Sequence, residues 1–161
     1  MPSRVLNEDI RLYPDSVAAY TGKGMLYLKL QRWGPADQAF RRAIRISPAT
    51  PAPYAFHALV LAALRQLDDA ESQARKGVAL GPRVAETHFA LGVVLGTRGR
   101  FPEAEESLKT SLRLDPKQPM ALAELAACVY LQRRPQEAYR IAVDAKRMGA
   151  MHPIFQLLGI Q

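Results

Sequence analysis

Cysteine is nearly absent from this chain: Cys128 is alone among 161 residues, so no internal disulfide can staple the fold. Its place beside Val129 in an apolar stretch reads as a buried small hydrophobe rather than a reactive thiol. No run approaches the roughly 18 apolar residues that a membrane-spanning helix needs, and the opening residues MPSRVLNEDI lack the apolar stretch of a secretory signal. Gly/Ser-rich linkers and blocks of like charge are missing too, which predicts one continuous unit over residues 1–161. Catalytic signatures are also lacking: there is no GxSxG, no phosphate-cradling glycine loop and no HExxH. The Gly22-Lys23-Gly24 triplet has neither the upstream glycine nor the following Ser or Thr of a phosphate loop. His57, His88 and His152 are scattered with no Cys or Asp pair at ligand spacing, so His57 and His88 read as core or half-buried packing. The pairs Asp68-Asp69 and Glu105-Glu106 read as exposed helix starts, where nothing would raise a carboxyl pKa for acid catalysis. These absences predict no catalysis, no cofactor and no metal site.

What the chain does have is a period. Pro14, Pro48, Pro82 and Pro116 stand 34 residues apart, each after an amphipathic stretch rich in Ala and Leu. A fixed period of this length means one supersecondary unit copied and stacked, here a helix pair per copy. Cut as 17–50, 51–84, 85–118 and 119–152, the copies align Gly24, Ala58, Gly92 and Ala126 at the eighth place, and Ala36, Ala70, Ala104 and Ala138 twelve places later. A glycine inside a helix costs about 0.5–1 kcal/mol against alanine, so Gly24 and Gly92 point to close approach of two helices. Bulky residues recur around them at helical spacing, as in Tyr20-Gly24-Tyr27 and Leu91-Leu95 with Leu108-Leu112.

The third copy, AETHFALGVVLGTRGRFPEAEESLKTSLRLDP, resembles the tetratricopeptide repeat at Leu91-Gly92, Leu95, Gly99, Phe101, Ala104, Leu108, Ser111 and Pro116. The first copy is similar at Tyr20, Gly24, Tyr27, Ala36, Phe40, Ala43 and Pro48, and the second at Tyr54, Ala58, Leu61, Ala70 and Pro82. The second departs from the pattern with Ala74 where a large residue is usual, and the fourth has Ala150 where the period expects proline. The resemblance implies an all-α fold, a right-handed α-solenoid of helix-turn-helix units. Local signals agree with helix pairs. Pro35, Pro102 and Pro135 fall at the start of second helices, where a missing N–H costs little. Asp37, Asp68, Asp69, Glu71, Glu103, Glu105, Glu106 and Glu137 are assigned to the first turns, favoured there by the helix dipole. Ser47, Gly81 and Asp115 precede prolines and are biased away from helix. At the ends, SRVLNEDIRLY (3–13) reads as the second helix of a preceding unit with Leu6, Ile10 and Leu12 on its apolar side, so that 1–16 closes a partial repeat. Residues 153–161 read as a truncated capping helix or the start of a fifth unit. A piece of a longer protein, or ends that dock on something, is the expectation.

The same resemblance implies that the first helix of each pair lines a concave groove. Its candidates are Thr21, Met25, Leu28 and Lys29; Ala55, Leu59, Ala62 and Ala63; Glu86, Phe89, Val93 and Thr97; then Met120, Ala123, Ala127, Tyr130 and Leu131. The clamp of Lys, Asn and Arg with which some family members hold a terminal carboxylate is missing from these places. An amphipathic helix or extended apolar segment of another protein is the implied partner. On the opposite side Arg41, Arg42, Arg45, Arg75, Lys76, Lys109 and Arg113, with Arg140, Lys146 and Arg147, form a basic ridge that carries much of the +7 net charge. Nucleic acid or an anionic membrane is the alternative partner of that ridge, although no aromatics interleave for base stacking. The remaining alternatives are a substrate-selecting arm of a larger enzyme such as a glycosyltransferase, and self-association through the incomplete terminal repeats.

Overall fold

The computed structural model describes residues 4–161, apart from the side chain of Leu6. Among these lie ten helices and no strand: α1 (Arg4–Leu12), α2 (Val17–Lys29), α3 (Trp33–Ile46), α4 (Pro51–Ala63), α5 (Leu67–Leu80), α6 (Ala85–Thr97), α7 (Phe101–Leu114), α8 (Pro119–Leu131), α9 (Pro135–Arg147) and α10 (Ile154–Leu157). The helices end where the prolines require it. Ser47, Gly81 and Asp115 leave helical geometry just ahead of Pro48, Pro82 and Pro116, because a proline ring clashes with a helical residue before it. At the other end, Ser16 caps α2 through its hydroxyl, which accepts from the Ala19 N–H at 3.1 Å. Pro102 and Pro135 sit in the first two positions of α7 and α9.

Consecutive helices pack as hairpins, α2 on α3, α4 on α5, α6 on α7 and α8 on α9, and each second helix also packs on the first helix of the next pair. The turn inside each hairpin is made the same way four times. Gln31, Arg65, Gly99 and Arg133 have φ of 57°, 62°, 78° and 64°. Left-handed geometry costs a non-glycine residue about 1–2 kcal/mol, so three of the four turns carry that cost and only Gly99 escapes it. Between hairpins, α2, α4, α6 and α8 touch in succession, whereas among the described residues no second helix touches the next second helix. A stack with one row in contact and the other splayed must curve toward the contacting row. The first helices therefore form the inner wall of an α-solenoid.

The core is filled by matched volumes. A Cβ on Gly24 would stand 2.6 Å from the Phe40 ring, and one on Gly92 would stand 2.6 Å from Cγ of Leu108. In the other two pairs the same places hold Ala58 with Ala74 and Ala126 with Ala142, all fully buried. The unusual Ala74 is thus explained: where the first helix gains a methyl, the second gives up its bulk. Gly77, buried in the last turn of α5, is different, since an added Cβ would meet Ala55 N and the Tyr54 Cβ at 3.5 Å, ordinary contact distance. Gly77→Ala is expected to stabilise the protein by about 0.5–1 kcal/mol through helix propensity, read as a higher urea midpoint.

The ends depart from the simple repeat. Among the described residues α1 packs on α2 alone, with Ile10 half-buried, but Leu12 is 63% exposed rather than on a buried side. Among the described residues no second helix packs on α1 to cover it. Ser3 and the Leu6 side chain, also assigned to this helix from sequence, lie outside the described residues. At the other end the chain makes a single helical turn, α10. It is stopped by Gly159 at φ 66°, after which the Ile160 N–H folds back onto the Phe155 carbonyl at 2.8 Å. Ile154 and Phe155 are buried with Ala123, Ala126, Ala142, Ala145 and Ala150.

Candidate functional site

The inner wall is where the sequence placed a groove, and the structure sorts those residues into three groups. Met25, Lys29, Ala63, Thr97 and Leu131 are exposed, as are Glu86 and Met120. Thr21, Leu28, Leu59, Phe89, Val93, Ala127 and Tyr130 are half-buried, each with one side in the stack and one side open. Ala55, Ala62 and Ala123 are buried and do not line a surface, which corrects the expectation for these three. Their methyls sit where α4 and α8 meet neighbouring elements. Ala62 belongs to the central core with Leu91 and Leu95, and Ala123 lies in the cluster of Ile154 and Phe155. Side chains this small are what lets successive helices approach. The hydroxyls of Thr21 and Thr97 donate to Val17 O at 2.7 Å and Val93 O at 2.9 Å within their own helices. Their hydrogen-bonding capacity is largely used there, and the open wall is mostly apolar.

The joints between pairs hold a set of carboxylates that sequence reasoning misassigned. Asp37, Glu71 and Glu105 are the fifth residues of α3, α5 and α7, past the first turn, and Glu105 is only 6% exposed rather than part of an open helix start. Each reaches across to the following pair. Asp37 accepts from Arg41 Nε at 2.8 Å and lies 2.7 Å from His57 Nε2. Glu71 accepts from Arg75 at 2.7 Å and Arg100 at 2.8 Å, with Arg98 at 3.1 Å. Glu105 accepts from Lys109 at 2.6 Å, Gln132 at 2.7 Å and Arg134 at 2.8 Å. Burial pushes all three carboxyl pKa values up, but the hydrogen bonds and nearby cations outweigh it and hold them below the usual range. Since ionised Asp37 can only accept, His57 Nε2 carries the proton. A signal for this device was present in the sequence: the three acids are 34 residues apart, as are Arg100 and Arg134.

These pairings also thin the basic ridge. Arg41, Arg75 and Lys109 are bound to the joint acids, and Arg42 lies 3.3 Å from Asp15. Arg45, Lys76 and Arg113 carry no carboxylate partner among the described residues, and Lys76 Nζ sits 5.3 Å over the Tyr54 ring. Cys128 is buried, and burial pushes its thiol up to about 12, which leaves it protonated and unreactive. His57 is buried, and His88 is half-buried with Nε2 2.8 Å from the Pro82 carbonyl, so both serve packing and loop anchoring.

Family profiles described as tetratricopeptide repeat match residues 17–50, and 57–119 with 89–147. The chain belongs to the tetratricopeptide repeat family. No curated protein matches it. Among solved structures, the thermophilic tetratricopeptide protein TTC0263 of Thermus thermophilus superposes with a TM-score of 0.80 at 22% identity, over 95% of this chain and 84% of that one. PilF of Pseudomonas aeruginosa aligns at 0.73 and 20% identity over 96% and 70%. YrrB, described as a tetratricopeptide protein with an unusual peptide-binding site, aligns at 0.65 and 19% over 97% and 80%. At these identities the likeness speaks for the fold alone, and it is membership of the tetratricopeptide repeat family that supports a protein-interaction scaffold in general.

Proposed function

We propose that this protein is a non-catalytic adaptor that holds an apolar segment of another protein, helical or extended, against its inner wall. The observation that carries the reading is the open apolar row of Met25, Leu28, Leu59, Phe89, Val93, Tyr130 and Leu131 on α2, α4, α6 and α8. It is more apolar surface than a helix pair needs for its own folding. Each anchor buried in such a wall contributes about 1.5–3 kcal/mol, so three or four give micromolar binding after the costs of association. The unusual peptide-binding site named for YrrB, on a related fold, is in keeping with this reading. For the ridge, four of its seven leading cations already face carboxylates, which argues against a polyanion as the main partner.

Peptides selected from a displayed random library on the wild-type protein test the proposal. They are expected to be apolar and to lose at least tenfold in affinity for Met25→Glu and Leu59→Glu variants that keep wild-type helicity. Undiminished capture by both folded variants would move the site elsewhere.

A further inference from the structure

We infer a second docking surface, at the α10 end of the stack, that takes an acidic segment with leucine or phenylalanine anchors from another protein. Two hollows of about 500 and 550 Å³ meet there and share Tyr130 and Pro135. Leu131 borders one and Tyr139 and Leu157 border the other, and these three are 52%, 48% and 66% exposed. Three large apolar side chains open to solvent around paired hollows form a binding surface for apolar anchors.

The repeat register gives this face its own character. At each of the three earlier joints the place after the invariant alanine holds an acid, Asp37, Glu71 or Glu105, which grips a side chain of the following pair. In the last pair that place holds Tyr139. The next place carries Gln38, Ser72 and Glu106 in the earlier pairs and Arg140 here, and the left-handed turn residue is Arg133. Among the described residues neither Arg133 nor Arg140 has an ion pair. An aromatic surface flanked by two guanidinium groups without an ion pair among the described residues complements carboxylates beside apolar anchors, and it repels arginines such as those that Glu71 and Glu105 bind at their joints. The surface is built by α8, α9 and α10, and its Tyr139 and Arg140 separate it from the inner wall, although Tyr130 and Leu131 border both.

The probe is a fluorescein-labelled peptide of about twelve residues, rich in glutamate with two leucines and one phenylalanine, beside a copy with lysine in place of every glutamate. Fluorescence anisotropy is expected to show micromolar binding of the acidic peptide and at least tenfold weaker binding of the lysine copy. A Tyr139→Glu, Arg140→Glu double variant should lose at least tenfold, and a Leu59→Glu variant should keep its affinity. Equal binding of the two peptides, no binding to the wild type, or an unchanged affinity for the double variant overturns the inference. So does loss on Leu59→Glu alone, which would return the peptide to the inner wall. Sedimentation at rising concentration supplies the last arm: a self-association that the double variant abolishes would mean that a second copy, and not an acidic partner, covers this face.

Discussion

Gly92→Ala should destabilise this protein by about 1–3 kcal/mol, and most of that loss should vanish when Leu108→Ala is introduced with it. The reason is geometric. The new methyl would stand 2.6 Å from Cγ of Leu108, which is fully buried, and 3.3 Å from the Ala104 carbonyl oxygen, so the leucine cannot simply swing into solvent. Leu108→Ala alone should cost about 2–5 kcal/mol through the cavity it leaves. The double variant recreates the alanine pair that the second and fourth repeats already use as Ala58 with Ala74 and Ala126 with Ala142. Its loss should therefore fall short of the sum of the single losses by about 1–3 kcal/mol, the coupling of residues in direct contact. Urea denaturation of the four proteins measures this. Strict additivity would show that the repeats do not trade volume across this contact.

Acid should loosen the joints between repeats before it melts the helices. Asp37, Glu71 and Glu105 are held below the usual carboxylate range in the folded protein, whereas in the unfolded chain they titrate near their ordinary values of about 4. A depressed folded pKa adds stability that is fully present above the unfolded value and is lost as pH falls through the folded one. Stability is thus expected to be flat from neutral pH down to about pH 5 and to fall steadily below about pH 4. Glu105→Gln should cost about 1–3 kcal/mol at pH 7, because an amide nitrogen turns donor hydrogens either toward Lys109, which donates to Oε1, or toward Gln132 and Arg134, which donate to Oε2, in place of an accepting oxygen. It should also flatten the acid limb. Asp68→Asn makes the control: Asp68 is paired with Arg98 but its side chain is 95% exposed, and the profile should not change. Urea midpoints over about pH 3–8 decide the matter; an acid limb equally steep in wild type and Glu105→Gln would remove Glu105 from the account.

Much of this architecture could be read along the chain. Four prolines at one spacing, the small residues eight places into each copy, and Ser47, Gly81 and Asp115 ahead of prolines placed the helix boundaries, because helix termination depends on backbone geometry within a few residues. Groove residues were legible only as a helix face. Periodicity tells which residues point away from a helix's own hairpin but not whether another helix then lands on them, which is why Ala55, Ala62 and Ala123 turned out to be covered. Glu105 and its counterparts were misassigned for the same reason: an acid near a helix start satisfies a local rule, while its real partners, Gln132 and Arg134, lie in the next repeat.

The sequence by itself determined the 34-residue period and the helix ends beside the prolines, since these follow from local backbone preferences repeated at one spacing, and its resemblance to the tetratricopeptide repeat pointed to the family. Only the tertiary structure decided which methyls are sealed between helices, that Gly24 and Gly92 lie against Phe40 and Leu108, and that the carboxylates link one repeat to the next. Those outcomes depend on distances between residues far apart in the chain, and a distance of a few ångströms separates an open wall from a buried contact.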